Sequence, residues 1–292
     1  GLIVPIAVGS VSDTNTLREV CSDLYISLWS SHFAIRPAKL FDGVEQRLTI
    51  LIGCHGSSDG GWHTSKYHQW FSDERPDLFS RLMLASMPQR RSKQSPWPKI
   101  GSPTEARILE KLRRFEDSPA HLLLTDSSKW IMYFHRTPGY WIRMLDFLPF
   151  FESPAGDRSV HHIRELYATS EAARAEIAGL GSSSLYFWWF FAIGNCRNLT
   201  KGDLLGFPAP RLDAGGAVEI VRIFNELMKS YKDNSSVKSR AKARYQEFDW
   251  VAAKPSVDAM DEFFAKVFGL TDEELDFVIN YDIKVRVGDV AE

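Results

Sequence analysis

The chain has 292 residues, 44% of them hydrophobic, enough to bury a sizeable core, and its length is a prior for two domains rather than one. With 35 Lys and Arg against 37 Asp and Glu the net charge is near balance, so the bulk pI gives no argument for a polyanionic partner. Cys21, Cys54 and Cys196 are far apart and form no CxxC pair, which points to neither a disulfide framework nor a zinc cluster and fits a reducing cytoplasm; the apolar start at residues 2–8 is too short to span a membrane and lacks the flanks of a signal peptide.

Charge is unevenly distributed. Residues 81–136 hold eleven basic side chains against five acidic ones, and residues 256–292 hold ten acidic against three basic. An electropositive middle and an acidic tail suit polyanion binding in the middle, and suit equally well an ordinary solvated helix face.

In chain order, residues 2–8 read as a buried strand. Thr14-Asn15-Thr16 offers capping residues before a helix over 17–24. Residues 26–33 alternate, and 47–53 are β-branched and apolar with a glycine stop, giving two further strands. Strand, helix and two strands suggest the far half of a doubly wound sheet. A core strand at the second residue, without an initiating Met, is expected where a longer protein has been cut, because a half sheet leaves an exposed edge.

Residues 86–103 are rich in Ser, Pro, Gln and basic side chains, which is linker composition. An amphipathic helix follows over 104–115, with Ile108, Leu109 and Leu112 on one side and Arg107, Lys111 and Arg114 on the other. Strand-like runs cover 121–124, 129–136, 140–145 and 159–167, with Thr137-Pro138-Gly139 as a turn. Helical patterns then cover 171–180, 185–193, 201–205, 217–229, 257–268 and 272–280. The aromatic run 186–191 reads as core rather than as a base-stacking platform. His161 and His162 are adjacent on an expected strand and so point to opposite faces, which makes shared metal coordination a poor reading. Gly269 should stop one helix, and Thr271 with Glu274 forms a capping box for the next.

The segment 29–53 contains a strand, a connection with Arg36-Pro37 and Leu40-Phe41-Asp42-Gly43, and a second strand. It resembles the large adenine-specific (N6) DNA methyltransferases of bacterial restriction-modification and phage-defence systems, including the fused type IIG enzymes. In that family a segment of this form closes the catalytic sheet, and an aromatic residue just before the last strand stacks on the adenine rotated out of the duplex. The resemblance puts Phe41 in that place, with Phe33 as the weaker candidate; the competing reading of Phe41 is a buried residue that anchors a loop. The family's catalytic Asn-Pro-Pro-Tyr tetrapeptide is absent from the sequence, as is a glycine-rich turn that could cradle S-adenosylmethionine.

A second stretch resembles the target-recognition domains of the same enzymes. It comprises Pro98-Lys99-Ile100-Gly101-Ser102, Tyr133-Phe134-His135-Arg136 with Gly139-Tyr140-Trp141, Ser182 to Trp189, and Asn195-Cys196-Arg197-Asn198. Such domains read bases with Arg, Lys, Asn and Gln and spend most other contacts on phosphate. The DNA-contact candidates this implies are Arg90, Arg91, Lys93, Lys99, Lys129, His135, Arg136, Tyr140 and Arg143, with Asn195, Arg197 and Asn198 as a second loop. The tail from Lys254 to Gly288 is similar to the ending of the family. The basic run 238–244 just before it reads as a phosphate-lining segment or a solvated helix.

The fold expected is α/β: a partial doubly wound, Rossmann-like methyltransferase sheet over 1–86, a linker over 87–103, an α+β target-recognition domain over 104–252 and a helical tail over 253–292. The expected function is the DNA-recognition part of a cytoplasmic, nucleoid-associated adenine methyltransferase. Its partner would be double-stranded DNA, and S-adenosylmethionine and the catalytic residues would be supplied by a missing amino-terminal half or by a separate catalytic or endonuclease subunit. The alternative is a non-catalytic DNA specificity module beside a separate methyltransferase chain. Neither reading involves a membrane.

Overall fold

The computed structural model describes residues 2–4, 15–55, 61–87, 96–124, 126–154, 162–240 and 242–287. The chain is α/β and divides into two compact units. The first is Gly1–Lys111, Trp188–Cys196 and Asp282–Glu292; the second is Leu112–Phe187 and Arg197–Tyr281.

The first unit is built on strands β1 (Leu2–Val4), β2 (Ser27–Phe33), β3 (Leu48–Cys54), β4 (Trp62–His68) and β5 (Leu84–Ser86), with helix α1 (Asn15–Leu24) between β1 and β2. Their order is β1-β3-β2-β4-β5. β3 is antiparallel to both β1 and β2, so β1 and β2 run parallel and α1 is the crossover such a pair requires. β2 and β4 pair in parallel and β4 and β5 antiparallel, which makes the sheet mixed. Cys21, Leu28, Leu51 and Trp97 form a core cluster. Gly53 is required at the end of β3, because a Cβ there would lie 2.4 Å from the Tyr25 ring.

Much of this sheet's interior is polar. Ser27, Ser30, His32, Thr49, Thr64 and Ser65 are all buried. His32 Nδ1 lies 3.0 Å from Thr49 Oγ1 and Nε2 lies 3.2 Å from Thr64 Oγ1, while the Thr64 hydroxyl donates to the Pro98 carbonyl at 2.9 Å. β4 (WHTSKYH) therefore lacks the apolar alternation by which a strand is recognised, and sequence periodicity does not reveal it.

The described part of the Pro- and Ser-rich stretch is packed rather than solvated. Trp97, Lys99 and Ile100 are fully buried, and Trp97 meets Trp62 edge-on at 5.2 Å. Helix α2 (Pro103–Leu112) follows, with Ile108, Leu109 and Leu112 fully buried as the amphipathic pattern predicts. Glu105, buried in its first turn, accepts from Gly101 N at 2.7 Å and from Trp188 Nε1 at 3.1 Å.

The second unit holds two sheets. β6 (Leu123–Leu124), β7 (Ile131–His135), β8 (Met144–Leu145) and β10 (Ile163–Ala168) form an antiparallel sheet in the order β6-β10-β7-β8. β9 (Phe151–Glu152) pairs with a later hairpin, β11 (Ser235–Arg240) and β12 (Ala243–Phe248), in the order β11-β12-β9. The expected strand over 140–145 is reduced to Met144–Leu145. In the basic run 238–244, residues 238–240 belong to β11 and 243–244 to β12, so the expected solvated helix is not formed by these residues.

Helix α3 (Glu171–Ser182) packs on α6 (Ala214–Asp233) and α7 (Trp250–Phe268), and α6 packs on α7. Their core includes Ile177, Phe224, Leu227, Met260 and Phe264. α4 (Ser184–Ile193) is buried throughout, so its aromatic run is core as expected. The short α5 (Lys201–Leu205) lies at the expected position. Gly269 ends α7 with φ 65°, and α8 (Asp272–Ile279) opens on the Thr271–Glu274 capping box. α9 (Ile283–Val287) belongs to the first unit. Among the described residues no helix is long and apolar enough to cross a membrane.

Candidate nucleic-acid interface

The residues singled out in the sequence fall into distinct settings. Phe41 is 42% exposed and sits at the start of a tight turn, where Val44 N donates to its carbonyl at 3.2 Å and Gly43 takes φ 75°. It is not a buried loop anchor. Phe33 is, by contrast, fully buried and meets Trp70 and Phe79 edge-on, which makes it a core residue.

Lys99 must be corrected as a DNA contact. It is fully buried, its ammonium donates to the Gly194 carbonyl at 2.9 Å, and no phosphate can reach it there. Its charge instead acts on His32, which burial first and Lys99 second hold well below the usual imidazole range, so that His32 is neutral. Asn195 is half-buried in the first unit, and its carbonyl accepts from Arg47. Arg90, Arg91, Lys93 and His161 lie outside the described residues.

The remaining candidates belong to the second unit. β7 carries His135 at its end, exposed, and Arg136 follows, half-buried. Leu199 N donates to the Arg136 carbonyl at 2.6 Å, and the Thr137 hydroxyl donates to Asn198 Oδ1 at 3.3 Å. These bonds join the turn after β7 to the loop 197–200, so Arg136, Thr137, Arg197 and Asn198 come together from positions about sixty residues apart in the chain. The loop is fixed from its other side by the Thr200–Asp203 capping box that opens α5.

Tyr140 is exposed, and its neighbour Trp141 stacks on Trp250 at 5.5 Å. Arg143 is half-buried with its guanidinium 5.5 Å above the ring of Phe248, at the base of the β11–β12 hairpin. Lys129 is exposed and lies 4.8 Å over Trp130, whose ring also carries Arg174 at 5.2 Å. An open depression of about 510 Å³ borders the hairpin, and Lys238, Glu247, Asp249 and Trp250 are part of its wall; its mixed charge suits no single small ligand.

The sequence offered the basic run 238–244 as a phosphate-lining segment or a solvated helix, and its residues fall instead on β11 and β12. The overlooked signal is its period: Lys238, Arg240, Lys242 and Arg244 alternate with small residues, a spacing of two that belongs to a strand.

The loop after β2 holds a cis Arg36–Pro37 bond and, further on, the Asp42–Gly43 turn before β3. No group of three or more His, Cys, Asp or Glu suited to a metal ion occurs among the described residues. Comparison of the chain with models of protein families finds no match, and comparison with curated proteins finds none.

Proposed function

We propose that the chain is the DNA-recognition portion of a site-specific adenine-N6 methyltransferase of a restriction-modification or phage-defence system. The intact enzyme moves a methyl group from S-adenosylmethionine to adenine N6 in duplex DNA, and in this reading the cofactor and the catalytic tetrapeptide belong to a part of the protein that precedes these residues. One observation carries the DNA-binding half of the reading: the turn after β7 and the loop 197–200 are hydrogen-bonded into one polar surface that holds Arg136, Arg197 and Asn198. Arg and Asn are the side chains that recognise guanine and adenine edges, and a loop fixed at both ends holds them without a large ordering cost.

Two features of the first unit support the catalytic-sheet half. β1 and β2 are parallel strands joined through helix α1, the kind of connection found in doubly wound sheets, with antiparallel β3 between them; β2 and β3 form the strand–connection–strand that the resemblance places at the sheet's closing edge. Phe41 is exposed beside its turn, as a residue that stacks on an extruded base must be. The second reading is a non-catalytic specificity module that serves a separate methyltransferase chain.

Mapping of modified bases in cells that carry the full-length gene tests the proposal. N6-methyladenine is expected in one sequence context, and Arg136→Ala should lower the methylated fraction at that site about tenfold, the effect of losing roughly 1.4 kcal/mol of recognition. DNA without methyladenine in any fixed context overturns the methyltransferase reading. Methylation that also requires a second gene selects the specificity module.

A further inference from the structure

The β11–β12 hairpin has a charge pattern that the fold does not use. Between Ser235 and Phe248 it carries Lys238, Arg240, Lys242 and Arg244 against Glu247 alone. Arg244 is committed to the sheet, since it bonds Glu152 on β9 at 2.8 Å and lies over the ring of Phe150. Lys238, Arg240 and Lys242 are exposed, and among the described residues none makes a side-chain hydrogen bond or an ion pair.

The register sorts these side chains by face. Lys238 stands opposite Tyr245 and Arg240 opposite Ala243, and Arg244 stands opposite Ser239 on the other face. Lys238 and Arg240 therefore share one face. Their separation is two strand residues, about 7 Å, on the scale of the spacing between successive phosphates of a nucleic-acid strand. Lys242 follows at the turn with φ 66°. A non-glycine residue there costs about 1 kcal/mol or more, so the turn itself gives no reason for a lysine.

β11 is an edge strand, and charged edges also guard against sheet-to-sheet pairing. Edge protection works with either sign of charge, needs one or two charged residues and asks nothing of the turn. A same-sign row that continues from the strand into the turn fits a polyanion better. A two-stranded ribbon also has the width to approach a duplex groove.

We propose that this hairpin is a DNA-contacting element separate from the Arg136–Asn198 loops, with Lys238, Arg240 and Lys242 laid along the phosphates of one strand of duplex DNA. The assignment rests on the DNA-binding reading above. Its test is the affinity of the full chain for a labelled random-sequence duplex, measured by fluorescence anisotropy across a salt series. The variants are the triple Lys238→Gln, Arg240→Gln, Lys242→Gln and the single Lys242→Glu, the second as a minimal change at an exposed turn, with circular dichroism to verify the fold of each.

The triple variant should bind about ten- to hundredfold more weakly at low salt, and the slope of log affinity against log salt should become shallower by about 2 to 3, near 0.9 for each phosphate no longer neutralised. Lys242→Glu should weaken binding in the same direction and flatten the slope by about 1. Wild-type binding with unchanged affinity and slope in a folded triple variant overturns the hairpin assignment and leaves the DNA reading standing. Weaker binding at an unchanged slope overturns it as well, since the protein then neutralises as many phosphates as before. A wild-type chain that binds no duplex at all overturns both.

Discussion

Lys99 and Lys238 both lie in basic stretches of the sequence, and they illustrate opposite uses of a charge. In the first unit Lys99 is buried with its ammonium on a backbone carbonyl, beside a seam in which His32 is held between Thr49 and Thr64 and Glu105 accepts from Gly101 and Trp188. In the second unit Lys238, Arg240 and Lys242 stand exposed on a hairpin with no ion partner among the described residues. Buried polar groups define the fold because each leaves another stranded when removed. Exposed cations of one sign do little for stability and remain available to a partner. If that contrast is right, substitutions in the seam should act on folding and substitutions in the hairpin on binding.

The largest effect is expected at Glu105. Burial raises its carboxyl above the usual range, against the hydrogen bonds from Gly101 and Trp188 that pull it back down. Glu105→Ala leaves two buried donors without an acceptor, at about 1–3 kcal/mol each, so the first unit should lose roughly 3 kcal/mol or more in urea unfolding followed by tryptophan fluorescence. The hairpin triple variant should shift the same measurement by no more than about 0.5 kcal/mol, the usual range of surface substitutions. Similar losses in both would break the contrast.

A smaller effect is expected from pH. Burial first, and the charge of Lys66 second, push His68 down to about 3, and His32 is lowered as well. A histidine whose folded pKa lies below its unfolded value of about 6.5 binds no proton where the unfolded chain does, so stability is intact above about pH 6.5 and falls as pH drops below it. At pH 5 His68 alone accounts for about 2 kcal/mol, 1.4 kcal/mol for each of the roughly 1.5 pH units below 6.5. His68 Nε2 is buried without a hydrogen-bond partner among the described residues, so His68→Leu strands no other group and should flatten the stability profile between pH 7 and 5. A profile as steep as that of the wild type would place the acid sensitivity elsewhere.

The same contrast separates what the sequence conveyed from what it hid. Apolar periodicity located α2 and the α7–α8 tail with its glycine stop and capping box, because there the buried face is mainly the apolar face; β2 and β3 were found by their apolar residues although Ser27, Ser30, His32 and Thr49 are buried in them as well. It failed at β4, whose inward residues include Thr64 and Ser65, and in the Pro-rich stretch, where Trp97 and Ile100 are core. It also took Lys99 for a surface cation, since a lysine's type carries no sign of its burial. For the candidate interface, the sequence supplied residue types but not their company. The bond between the turn after β7 and the loop 197–200 spans 61 positions, and no local pattern encodes it. The hairpin's period of two was available in the sequence and was outweighed by the run of basic residues.

The finest test of the contrast lies at Lys242, where fold and charge ask for different residues. Its left-handed backbone, φ 66°, favours glycine, and relief of that conformation is worth about 1–2 kcal/mol. The extra freedom glycine gives the unfolded chain returns about 0.5–1 kcal/mol of this, so Lys242→Gly should leave a net gain near 0.5 kcal/mol in the unfolding midpoint. The same substitution removes one cation from the row and should flatten the salt dependence of duplex binding by about 1. A variant slightly more stable and measurably weaker on DNA would mean that the lysine is kept against the preference of the turn. A less stable variant with unchanged binding would mean that its side chain serves the hairpin, and the division between buried charges that build and exposed charges that bind would fail at its clearest position.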